Sequence, residues 1–121
     1  MKRQLATASL LMAGYLAQAQ PTYLQDYPTL ERVQFVQTCM REHPGPEFEM
    51  QSKCACMLDS LATELAYERY VQLSTEAKAI SIGGERGGVL RDNEAVKDEI
   101  KQYRAQQARA EKACFLAPAK R

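Results

Sequence analysis

Apolar side chains recur along this chain at three- and four-residue intervals, the period of a helix with one buried face, and no stretch alternates with the two-residue period of a strand. Leu30, Val33, Val36 and Met40 form one such stripe, with Thr29 placed to cap it. The pattern predicts a first helix from Thr29 to about Arg41, ended by His43-Pro44-Gly45-Pro46. Cys54, Leu58, Leu61 and Leu65 predict a second helix that begins at Pro46 or Ser52 and runs to about Leu73. Ser74, followed by Thr75 and Glu76, reads as a fresh cap with acid in the first turn, so a short third helix is expected over Thr75 to Ile82. The glycines at 83, 84, 87 and 88 break it. Asp92 or Asn93 then caps a long fourth helix to about Phe115, with Val96, Ile100, Tyr103, Gln107, Ala110 and Cys114 along one line. No internal repeat interrupts this order. The expected fold is all-α, a small bundle of about four helices.

The first 19 residues follow a different rule. Lys2 and Arg3 precede an uncharged apolar run from Leu5 to Ala17, and Ala17-Gln18-Ala19 has the small-residue spacing of a signal-peptidase site. The expected organisation is a cleaved secretory signal peptide over 1–19, an extended arm over 20–28 and a single helical domain over 29–121. The run from Leu5 to Ala17 is too short to stay in a bilayer, and no later one is long enough, so the mature product is expected in the periplasm or secreted. No cysteine stands at the cleavage site to carry a lipid anchor.

Composition sharpens this picture once the leader is set aside. Among the 121 residues there is no tryptophan. From residue 20 onward only 19 are Val, Ile, Leu or Phe, close to the level at which burial alone struggles to offset chain entropy. An oxidising compartment, a thin core and an even number of cysteines together predict two disulfides among Cys39, Cys54, Cys56 and Cys114. Two residues along a helix turn through about 200°, which points Cys54 and Cys56 apart and disfavours a bond between them. Two connectivities remain open: 39–54 with 56–114, or 39–56 with 54–114.

The formal charge of the whole chain is +1 at pH 7, so no strong charge drives it toward nucleic acid. That total hides an uneven distribution. Residues 20–68 carry three basic and eight acidic side chains, whereas 69–121 carry eleven and seven. Acidic and basic helices facing one another across the bundle account for this. The sharper reading is that Arg104, Arg109, Lys112, Lys120 and Arg121 dock an acidic partner.

Several residue groups invite chemistry, each beside a plainer account. Cys54, Cys56, Met57 and His43, with Met40 and Met50 nearby, are ligand types that a soft metal such as Cu(I) accepts, but only with free thiolates. The C-x-C spacing is neither the C-x-x-C of dithiol oxidoreductases nor a haem attachment. His43 is the sole histidine, which removes any His-based metal cluster, and no hydrolase or zinc-protease signature occurs. The glycine segment is either a linker or a contact loop that presents Glu85, Arg86 and Arg91 to a partner. Tyr23, Tyr27, Tyr67 and Tyr70 either cover the edge of a small core or form an aromatic patch.

In size, leader, helicity and disulfide content the chain is similar to small periplasmic helical chaperones of the acid-stress type. No motif carries that likeness, and four cysteines depart from the single bond of that group. A resemblance of architecture implies fold rather than function. The leading expectation is a non-enzymatic exported accessory protein that binds another exported protein, without cofactor or nucleic acid. The alternative is a soft-metal carrier using Cys and Met.

Overall fold

A computed structural model describes residues 26–118; the leader and the arm residues 20–25 lie outside the described residues, as do Lys120 and Arg121. Among the described residues five helices follow one another, one more than the sequence pattern led to expect: α1 (Thr29–Glu42), α2 (Glu47–Glu64), α3 (Tyr67–Ala79), α4 (Glu85–Arg91) and α5 (Glu94–Ala113). The fold is all-α, and two disulfides tie it together. The central helix is α2. It packs against α1 on one side and α5 on the other, while α3 and α4 lean on α5.

Two core clusters fill the interior. At the disulfide end Cys39, Met50, Cys54, Met57, Leu61, Ala110, Cys114 and Leu116 pack together. At the other end lie Tyr27, Leu58, Ala62, Leu65, Tyr70, Leu73 and Tyr103. Tyrosine rings thus supply bulk that the few large aliphatics cannot.

The bonds are Cys39–Cys54 and Cys56–Cys114, with sequence separations of 15 and 58, which selects one of the two open connectivities and leaves no free thiol. On loop-entropy grounds the shorter contributes about 3 kcal/mol and the longer about 4 kcal/mol. Against a net stability of about 5–10 kcal/mol for a domain of this size, the two together decide whether it folds.

The fourth expected helix is α5 as drawn from the sequence: Ile100, Tyr103, Ala110 and Cys114 are buried, and the Asn93 side chain accepts from the Val96 amide at 3.3 Å. Its C-terminus carries a Schellman closure. The Phe115 amide reaches the Lys112 carbonyl and the Leu116 amide the Glu111 carbonyl, with Phe115 at φ 57° in the left-handed position usually given to glycine.

The second and third helices depart from expectation. The predicted run to Leu73 breaks at Leu65 and Ala66, both in extended conformation, and α3 restarts at Tyr67 instead of Thr75. Nothing in local propensity demands that break. The Tyr27 hydroxyl donates to the Leu65 carbonyl at 3.1 Å, and the Tyr27 ring lies 5.3 Å from both Tyr67 and Tyr70. A tertiary anchor therefore holds the chain where a helix would otherwise continue. Ser74 is interior to α3, its hydroxyl donating to the Val71 carbonyl, and caps nothing. Likewise Thr29 is the first residue of α1, Pro28 occupies the cap position, and no side chain caps that helix.

The stripe Leu30, Val33, Val36 and Met40 faces the centre only in part: Val36 and Met40 are half-buried against the disulfide-end core. Cys39 is the buried position of α1 and Phe35 packs beside it, while Leu30 and Val33 are 66% and 47% exposed. With Cys39 bonded to Cys54, the band runs along the seam with α2, its first half exposed and its second half partly covered.

The glycine segment is also no simple break, because Gly87 and Gly88 lie inside α4. Gly84, at φ 78°, turns the chain, and Gly87 is buried where a Cβ would run into the Ile82 and Ala79 carbonyls. Arg91 closes this corner: its guanidinium donates to the carbonyls of Ile80 at 3.3 Å, Ile82 at 2.8 Å and Gly84 at 2.8 Å.

Reduction of both bonds is expected to collapse near-UV circular dichroism and lower the melting temperature by tens of degrees; an unchanged melt in reductant overturns this. Cys39 and Cys54 are buried whereas Cys56 is exposed, so partial reduction followed by alkylation and peptide mapping should label the 56–114 pair first. Gly87→Ala should destabilise by about 1–3 kcal/mol in chemical denaturation through overpacking. At Gly88 the nearest non-local atom to a new Cβ is 3.9 Å away, so Gly88→Ala should be neutral or stabilising by about 0.5–1 kcal/mol.

Candidate functional site

The two flanks of α1 differ chemically. One carries the apolar band; the other carries Glu31, Gln34 and Thr38, at three- and four-residue steps, beside α3 and α5. From α5, Tyr103, Gln107 and Glu111 project at four-residue steps, and α3 adds Tyr70, Ser74 and Lys78. Between them runs a cleft of about 780 Å³. Its floor includes Phe35, Cys39, Met57, Tyr70 and Tyr103. The disulfide and the Tyr27 anchor hold the two ends of this wall: the first fixes the C-terminal end of α1, the second the turn from which α3 departs.

Hydrogen bonds set the polar lining. The Tyr70 hydroxyl donates to Glu31 Oε1 at 3.3 Å, and Gln107 Nε2 donates to the Tyr103 hydroxyl at 3.2 Å. At the far end His43 Nε2 lies 3.8 Å from Glu111 Oε1, with side chains only 6% and 9% exposed. That separation is too long for a direct hydrogen bond. The rim carries charge of both signs, Arg41, Lys78 and Arg104 against Glu31 and Glu42.

Burial first, and then the negative charge of Glu31, push the Tyr103 hydroxyl up to about 12. Tyr27 and Tyr70 are raised further, again by burial foremost, with Tyr103 and Glu31 adding to it. All three hydroxyls therefore remain neutral donors at physiological pH.

The residues singled out in the sequence fall in different places. The four cysteines are wholly taken up by the two bonds, Met50 and Met57 are buried in the core, and His43 faces Glu111. Among the described residues no three side chains of His, Cys, Asp or Glu gather into a group that could hold a metal ion. Glu85 and Arg86 are exposed on α4, whereas Arg91 is occupied with three backbone carbonyls. The structure does not gather these three into the cleft. Tyr27 and Tyr70 are buried and Tyr67 packs on them, which is the core-edge reading rather than an exposed patch; Tyr23 lies outside the described residues. Of the basic residues on α5, Arg104 lines the cleft, and Arg109 pairs with Glu64 of α2 at 2.8 Å. Arg69 and Glu99 make a second interhelical pair at 3.2 Å, in line with charged helices facing one another.

Sequence reasoning missed Glu31, Gln34 and Glu111. Glu111 follows Ala110 directly on the buried edge of α5. Together with Tyr103 and Gln107 it forms a polar stripe of three residues at four-residue spacing, a signal present in the sequence but hidden because Tyr103 and Gln107 read as part of the buried line.

No protein-family model matches this chain, and neither a curated protein sequence nor a solved structure shows recognisable similarity to it.

Because Tyr27, Tyr70 and Tyr103 keep their protons in the folded state beyond the ordinary tyrosine value, the stability they contribute is fully present below about pH 10. It is lost as pH rises through the folded values. Urea midpoints should hold steady to pH 9 and fall steeply above pH 10, with tyrosinate absorbance from these three rings appearing together with unfolding. Tyrosinate formation without loss of structure would contradict it.

Proposed function

We propose that this chain is an exported, non-enzymatic accessory protein that holds an extended segment of another exported protein in the cleft between α1 and α3/α5. The signal-peptide pattern supports export. Two disulfides, and the absence among the described residues of any helix long and apolar enough to cross a membrane, are compatible with it.

The observation that carries the binding reading is the lining itself. Gln34, Gln37, Thr38 and Gln107 both donate and accept hydrogen bonds, as the main chain of a bound peptide requires whatever its side chains. From Glu31 to Glu42 the wall is about 16 Å long, room for about five extended residues. The tyrosine and methionine floor offers apolar contact beneath. Mixed rim charge favours neither an acidic nor a basic segment.

The soft-metal alternative has less to rest on. It needs thiolates, and all four sulfurs are paired.

Fluorescence anisotropy with a panel of labelled five- to eight-residue peptides tests the proposal. Saturable binding with Kd on the order of 10–100 μM is expected. Gln34→Ala combined with Gln107→Ala removes two amide partners and should weaken it roughly tenfold or more. Val89→Ser, on the exposed face of α4, should change nothing. If no peptide in the panel binds saturably, or if the cleft variant binds as tightly as the parent, the reading is wrong.

A further inference from the structure

Apart from tyrosine and the disulfide sulfurs, two polar side chains are buried among the described residues, His43 and Glu111, and they stand together at the disulfide end of the cleft. Each is held in place by its own disulfide. His43 closes α1 four residues after Cys39, with its amide donating to the Cys39 carbonyl at 2.8 Å. Glu111 lies three residues before Cys114, and its carbonyl accepts from the Leu116 amide at 2.9 Å. The imidazole Nε2 and the carboxylate Oε1 face each other at 3.8 Å, about 1 Å beyond the reach of a charge-assisted hydrogen bond. Two buried groups of complementary chemistry are thus set opposite each other on different helices and left just short of bonding.

The surroundings leave the balance of this pair to one proton. Around it the cleft lining carries Arg41 and Glu42 from the end of α1, Glu31 from its start, Lys78 from α3 and Arg104 from α5, while α2 adds no ionisable side chain. Arg41, Glu42, Lys78 and Arg104 are exposed, and Arg41 donates to Thr38 Oγ1 at 2.9 Å. With Glu111 included, three anions stand against three cations, so the lining is neutral until His43 gains a proton. Tyr70 and Tyr103 keep theirs throughout the range in question. Histidine is the side chain that changes charge between about pH 5 and pH 8, and His43 is the sole histidine of the chain. We propose that His43 and Glu111 form a proton-operated latch between α1 and α5, which closes the disulfide end of the cleft in mild acid and opens it above neutrality.

As His43 takes a proton, its Nε2–H donates to Glu111 Oε1, and the two side chains become a bridge across that end of the cleft. As the proton leaves, the bridge opens. Burial shields the pair from salt, so the closed form survives at physiological ionic strength. The two disulfides fix the helices on either side, which confines the movement to the two side chains and the end of the cleft they span. A segment held in the cleft then has less room in acid than at neutral pH. Couplings of this kind between two bound species are worth about five- to 150-fold in affinity, and a single bridge at one end of the cleft belongs near the lower part of that range. The gating of the cleft, though not the latch itself, rests on the cleft being the binding surface.

The latch is read first on the free, oxidised protein, by NMR of the imidazole nitrogens between about pH 5.5 and pH 8. In acid the Nε2 proton should carry the downfield shift of a bond to carboxylate, and the backbone amides of Glu42, His43 and Glu111 should move with the same midpoint. Glu111→Gln should remove that shift. A solvent-like Nε2 proton in acid, or a shift that survives Glu111→Gln, overturns the latch whatever the cleft binds. The gate is read by fluorescence anisotropy with an uncharged peptide blocked at both ends, so that the charge of the lining does not itself decide the result. Its Kd should be about tenfold weaker at about pH 5.5 than at about pH 8, and that ratio should fall to near one in His43→Gln and in Glu111→Gln. Equal affinity at both pH values in the parent, or a ratio that persists in the folded variants, overturns the gate. A peptide panel with no binder at either pH removes the binding reading of the cleft, and the latch is then decided by the imidazole spectra alone.

Discussion

Cys54 and Cys56 stand one residue apart on α2 and face different sides of it, and the arrangement of the bundle depends on that divergence. A helix turns through about 200° over two residues. Cys54 thus reaches α1 through Cys39, and Cys56 reaches the end of α5 through Cys114. The central helix is clamped from two directions at nearly the same height. With few large aliphatic side chains available, these constraints on the unfolded chain supply stabilisation that burial does not.

The clamp sets the rotation of α1 as well as its position. Drawing Cys39 toward α2 leaves the polar positions Glu31, Gln34 and Thr38 on one flank and the apolar positions Val33, Val36 and Met40 on the other. The two flanks then meet different surroundings. One closes a cleft with α3 and α5 over buried rings, and the other follows the seam with α2, where Val36 and Met40 are partly covered and Val33 is exposed. One covalent choice at Cys39 accounts for both concave surfaces.

At the opposite end tyrosines do the work that aliphatics do elsewhere. Tyr27 is 2% exposed, donates to the Leu65 carbonyl, and packs edge-on against Tyr67 and at a tilt against Tyr70. Their hydroxyls bring polar atoms into the core edge, each of which needs a partner. The Leu65 carbonyl accepts from Tyr27 and Glu31 from Tyr70, while Gln107 donates to the hydroxyl of neighbouring Tyr103; Glu31 and Gln107 both line the cleft. Two rings of this end, Tyr70 and Tyr103, thus also line the cleft.

The helical class, the position of α5 and its Asn93 cap, the pairing of all four cysteines and the disfavouring of a 54–56 bond were legible from residue periodicity and helix geometry, because they depend on neighbours in sequence. The break at Leu65 was not. Leu and Ala are good helix formers, and only a tyrosine hydroxyl arriving from 38 residues away stops them. Nor could the sequence show that Arg91 is spent on the end of α3, or that two glycines lie within a helix, since both follow from α3 and α4 meeting at a corner. The cleft was least visible of all. Its wall is made of Gln, Glu and Thr, which on one helix read as an ordinary solvated face and become a site only when another helix stands opposite. Sequence alone determined the helical class, the long last helix and that all four cysteines are joined; tertiary structure decided which cysteine meets which, where the middle helices break and which face of each helix is inside, because these follow from contacts between residues 15 or more positions apart and from no local preference.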